Sequence, residues 1–71
     1  METVTLQLTV NGKAHTHHGG TFVSDLLAAL GLAGKPVVVE LNGNALRPAD
    51  HAITEIPDRA RLELVTLAAG G

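Results

Sequence analysis

The chain has 71 residues, 45% of them apolar, and carries a net charge of −2 from seven acidic and five basic side chains. That length allows one small domain, burying roughly 60% of the unfolded chain's surface, and the absence of cysteine excludes disulfides, thiol catalysis and thiolate metal sites. One Phe, no Trp, no Tyr and no basic run leave neither a stacking platform nor a cationic patch, which argues against a nucleic-acid partner.

Residues 1–10, METVTLQLTV, lack the basic segment and apolar core of a secretion signal. No apolar stretch approaches the ~20 residues of a membrane span, so a cytoplasmic protein without membrane contacts is expected. Residues 3–10 alternate: Val4, Leu6, Leu8 and Val10 are apolar while Thr3, Thr5, Gln7 and Thr9 are polar, the pattern of a half-buried strand. Asn11-Gly12 then predicts a type I′ hairpin turn, which needs two residues at positive φ. A second strand is expected over residues 13–18, at a sheet edge, stopped by Gly19-Gly20. On it lies HTHH, residues 15–18. His15 and His17 share a face, roughly 7 Å apart, and His18 faces the other way. With no third ligand at a matching spacing, no metal is expected and the three read as exposed polar strand residues. Gly19-Gly20 lacks the phosphate-loop pattern and reads as a plain turn.

Phe22, Val23, Leu26, Leu27 and Leu30 recur at three and four, predicting an amphipathic helix of about nine residues that depends on packing for its stability. Thr21 is the expected N-cap, Asp25 sits near the positive end of the dipole, and Gly31 suits the left-handed position after the last turn, with Leu32 folding back. Ser24, the single serine, falls in the first turn without a G-x-S-x-G context. Pro36 breaks any continuation. A β-branched strand follows over residues 37–41, then a second Asn-Gly turn at 42–43 and a short strand at 44–46. Residues 47–57 form an irregular crossing, with one helical turn around 49–51 and an isolated His51 that reads as a packing or surface residue. Residues 61–66 alternate again and run straight into LAAGG.

This order predicts an α+β fold: a β-grasp, with a mixed four- to five-stranded sheet packed on one main helix and the last strand parallel beside the first. The expected division is residues 1–66 as the domain and 67–71 as a flexible tail. Such a small domain offers little room for a pocket of ~300 Å³, the acids are scattered, and no catalytic residue is expected. The tail is the exception. Glycine has no Cβ to obstruct close backbone approach, so Ala69, Gly70 and Gly71 suit a narrow active site in another enzyme. The alternative is an idle terminus.

LTVNGK at residues 8–13, TFVSDLLAALGL at 21–32, VVVELNG at 37–43 and RLELVTLAAGG at 61–71 together resemble the ThiS/MoaD sulfur-carrier family of ubiquitin-like proteins, most closely its ThiS branch. The chain departs from that pattern in carrying Arg59-Ala60 where the family has a Gly-Asp turn. It also has Arg47 and His51 where ThiS proteins have a basic residue followed by Trp. The resemblance implies a carrier for thiamine thiazole biosynthesis and not an enzyme. A partner adenylating enzyme would use ATP on the Gly71 carboxylate, a sulfur donor protein would convert the adenylate to a thiocarboxylate, and thiazole synthase would receive the sulfur. The domain itself would bind no cofactor or metal. Val38 and Val65, flanked by Arg61 and Glu63 on the open sheet face, are the expected docking surface. Other readings are a MoaD-like carrier for molybdopterin synthesis, a ubiquitin-like modifier whose own lysines would be Lys13 and Lys35, or a β-grasp binding module with an idle tail.

Overall fold

Alternating apolar residues and two Asn-Gly pairs set up two hairpins, and the computed structural model, which describes residues 4–67, contains both. Its elements are β1 (Val4–Val10), β2 (Lys13–Gly19), α1 (Val23–Ala29), β3 (Val37–Leu41), β4 (Asn44–Leu46), a 3-10 turn (Pro48–Asp50) and β5 (Arg61–Thr66). Asn11-Gly12 takes φ of 50° and 80°, and Asn42-Gly43 takes 49° and 84°, the paired positive values of a type I′ turn. The sheet order is β2-β1-β5-β3-β4. β5 runs parallel to β1, with Thr9 opposite Arg61, and antiparallel to β3, from Val37 opposite Thr66 to Leu41 opposite Leu62. The last strand is therefore the central one, and β2 takes an edge as its polar sequence predicts.

The two turn asparagines do more than permit positive φ. Leu64 donates its N–H to Asn11 Oδ1 at 2.7 Å, and Asn11 Nδ2 donates to the Leu64 carbonyl at 3.1 Å. The side-chain amide thus continues the β1–β5 pairing beyond the end of β1. Arg61 donates its N–H to Asn42 Oδ1 at 2.8 Å, and the Asn42 N–H donates to the Arg61 carbonyl at 2.8 Å.

The helix begins later than its periodicity suggests. Thr21 is not the N-cap; Phe22 is, and α1 has seven residues. The cause is a tertiary contact: Ile56 donates its N–H to the Thr21 carbonyl at 2.7 Å, and Val23 donates to Thr54 at 3.0 Å. This short bridge holds Phe22 extended, at φ of −87° and ψ of 155°. Asp25 Oδ2 accepts the Phe22 N–H at 3.0 Å, satisfying one of the free donors at the helix start. The other end follows expectation. Gly31 has φ of 76°, its N–H donates to Ala28 at 3.1 Å and that of Leu32 to Leu27 at 2.8 Å, the paired bonds of a Schellman motif.

Val23, Leu26 and Leu27 press into one face of the sheet, where Val39 and Leu62 lie fully buried. His17 corrects its expectation. It faces the same side as its partner Leu6, keeps 2% of its surface exposed and lies 2.8 Å from the Gly20 carbonyl through Nε2. The inner face of an edge strand is still core when a helix crosses it, and the bond to Gly20 makes a polar ring tolerable there. The 3-10 turn starts at Pro48, one residue ahead of the predicted one, and Arg47 Nε donates to Asp50 Oδ2 at 3.2 Å.

Candidate functional site

On the face of the sheet away from α1, alternation brings every second residue of β5 outward. Arg61, Glu63 and Val65 are exposed, and β3 contributes Val38 and Glu40 beside them. Val38 stands directly opposite Val65, and these two retain 43% and 56% exposure. The four docking residues expected from sequence are thus brought onto one surface. Leu67, assigned by sequence to the tail, continues the outward series at 53% exposure, and its period-two offset from Val65 is the signal that could have placed it there. Glu40 lies opposite Glu63, a like-charge pair that costs the sheet a little stability and that only the strand register discloses. Leu67 donates its N–H to the Pro36 carbonyl at 2.9 Å, so the main chain is still tied to the head at the last described residue. Ala69, Gly70 and Gly71 lie outside the described residues.

The opposite side carries a cleft of about 500 Å³, more space than so small a domain was expected to provide. The first turn and middle of α1 supply Ser24 and Leu27, the loop and strand start at residues 32–37 form one rim, and Pro48 and His51 close the other side. Ser24 donates its N–H to the His51 carbonyl at 2.9 Å, which fixes the 3-10 turn against the helix. His51 Nε2 is buried and has no hydrogen-bond partner among the described residues. Asp50 is held below its ordinary carboxyl value by its bond to Arg47, and Arg47 is raised by the same contact.

His18 Nδ1 lies 3.2 Å from the Thr5 hydroxyl on the open face, remote from His17 in the core. Among the described residues no three His, Cys, Asp or Glu side chains gather as metal ligands, and no helix is long and apolar enough to cross a membrane.

A five-stranded mixed sheet with its last strand parallel beside the first, crossed on one face by a single helix, is the ubiquitin-like β-grasp. The ThiS family model matches residues 8–71, and the chain belongs to the ThiS family. It is similar to the crystal structure of a thiamine biosynthesis protein (ThiS) from Geobacter metallireducens, at 38% identity over 93% of this chain and 100% of that one, with a TM-score of 0.76. The NMR solution structure of a thiamine biosynthesis protein from Geobacter metallireducens gives 38% identity over 93% of this chain and 88% of that one, with a TM-score of 0.75. No curated protein matches.

Proposed function

We propose that this protein is the sulfur carrier of thiamine thiazole biosynthesis, with residues 1–66 as the head, 67–71 as the tail and Gly71 as the reacting group. The observation that carries the reading is the extent of the family match, which runs through the Gly-Gly end of the chain. The place of β5 supports it: the strand that leads to the tail is held between β1 and β3.

In this reading a partner adenylating enzyme docks on Val38, Arg61, Glu63 and Val65 and admits Ala69, Gly70 and Gly71 to its active site. A carboxylate oxygen of Gly71 attacks the α-phosphorus of ATP and pyrophosphate leaves. The outer sulfur of a donor protein's persulfide then attacks the acyl carbon and AMP leaves, giving an acyl disulfide; a thiol attacks the donor's sulfur in that bond, so that a disulfide forms on the donor side and the thiocarboxylate is released. Thiazole synthase takes the sulfur from it. The head contributes no acid, base or metal; it supplies the surface and the point from which the tail is presented.

The test is the intact mass after incubation with ATP, the adenylating enzyme and a sulfur source. Exchange of one carboxyl oxygen for sulfur raises it by about 16 Da at the acyl carbon. An unchanged mass with an active partner rejects the reading, and rescue of a thiamine auxotroph separates thiazole supply from molybdopterin supply.

A further inference from the structure

We propose that Pro36 is a positioning residue for delivery of the chain end. It stops the β3–β5 ladder at Leu67 and so sets the length that the head can hand over, residues 68–71. In an antiparallel ladder, pairs that exchange two hydrogen bonds alternate with pairs that exchange none. Leu67 donates its N–H to the Pro36 carbonyl at 2.9 Å, and Asn42 donates to the Arg61 carbonyl at 2.8 Å. Those two bonds put Val38–Val65 and Glu40–Glu63, and Pro36–Leu67 after them, on the two-bond rungs. At Pro36 the rung is halved. Its carbonyl accepts, but the ring nitrogen has no hydrogen to give the Leu67 carbonyl.

The template for further pairing ends at the same point. The next two-bond rung would use residue 34, two positions on. Gly34 has φ of 76°, outside the strand region, and the Lys35 N–H is already given to the Leu32 carbonyl at 3.1 Å. The other side of β5 closes earlier. Among the described residues β1 pairs with it at Thr9–Arg61 and Val10–Leu62, and Asn11 donates its N–H to the Leu62 carbonyl at 2.9 Å. The Asn11 amide then takes both main-chain groups of Leu64, and the chain turns away at Gly12 into β2. Of the two limits, Pro36 lies nearer the chain end and is the one that decides.

The ladder end is a property of the head; its use rests on the carrier function proposed above. Four residues span at most about 14 Å. Any bond that the head made at or beyond the Leu67 carbonyl would have to break before the carboxylate reached a partner's active site. A proline on this rung removes the first such bond and keeps the anchor at the Leu67 N–H. Pro36 is exposed, so its ring is not there to fill the core. One backbone hydrogen bond, at about 1 kcal/mol, shifts an equilibrium by about fivefold, and a residue at position 36 that carries an N–H costs delivery that factor.

Pro36→Ala and Pro36→Val restore the N–H with two different side chains, and the full chain carrying either is read in two ways. In hydrogen exchange followed by amide NMR, the new amide at position 36 is expected to exchange about fivefold more slowly than an exposed one. With ATP and the adenylating enzyme, kcat for pyrophosphate release is expected to fall about fivefold. The KM for the carrier stays unchanged, because Val38, Arg61, Glu63 and Val65 are untouched. A role confined to loop stiffness gives neither the protection nor the split. Exchange at the exposed rate in both variants overturns the proposal, as does an unchanged kcat. A raised KM overturns it too, since Pro36 would then belong to the docking surface. The exchange measurement uses no ATP, enzyme or sulfur, so it decides where the ladder ends even for a chain that takes up no sulfur. That failure, in the mass test of the unaltered protein, rejects the carrier reading by itself.

Discussion

Asn11 is the residue at which local and tertiary requirements meet. Its φ of 50° serves the turn, while its amide forms two hydrogen bonds with the main chain of Leu64. Asn11→Gly separates the two roles, because glycine keeps the turn and loses the amide. We expect it to lower unfolding stability by about 1–3 kcal/mol, the cost of unmade bonds to a part-buried strand, measured by urea titration. Asp50 offers a second test at this scale. The Arg47 hydrogen bond holds its carboxyl below the ordinary 3.8, so the contribution of the pair is complete above that value and is lost as pH falls through the lowered one. Carbonyl NMR titration of Asp50 is expected to move back toward the ordinary value in Arg47→Ala. The Asn-Gly pairs announce their turns in the sequence, because positive φ is a local property. The reach of Asn11 to Leu64 depends on which strand lies next to β1, and no spacing along the chain encodes that.

At the scale of elements, hydrophobic period and the two Asn-Gly turns together locate all five strands and the helix, yet they misjudge two details. The helix starts one position late because residues 54–56 pair with Thr21 and Phe22, a contact across more than thirty positions of sequence. His17 reads as polar and therefore outward, but its partner Leu6 places it inward under α1. In both cases the chain obeys its neighbours in space. The open face illustrates the opposite case, where sequence parity suffices: Val38, Arg61, Glu63 and Val65 share a surface because strands alternate. Register adds the Glu40–Glu63 pair. Replacing Glu63 with Lys converts a like-charge pair into an opposite one, with an expected gain of about 0.2–1 kcal/mol in fold stability, read from urea unfolding. If that face docks the adenylating enzyme, the same variant raises the KM for the carrier while the fold is more stable, a split that a mere loss of structure does not produce.

For the whole molecule, the proposed function makes the head and the reacting end separable. Removing Gly70 and Gly71 deletes nothing from the described core, so the urea midpoint is expected to stay within the ordinary scatter of a surface change, about 0.5 kcal/mol, while the mass increase disappears completely. A result in which stability falls with activity would assign the last glycines to the fold instead. The sequence reveals the candidate end of the chain, but not the cleft beside α1. A cavity is the space that elements leave between them, and here it arises from the late start of α1, the curl of residues 32–37 and the 3-10 turn docked on Ser24.

The central position of β5 carries a mechanical consequence. A partner that draws the tail into a channel pulls along the axis of β5, whose bonds to β1 and β3 lie across that direction. They are loaded together, in shear, so that no single bond can give way ahead of the others as it would when a hairpin is peeled from its end. In the proposed function, the head thus resists being unravelled by the very traction that delivery of the chain end requires.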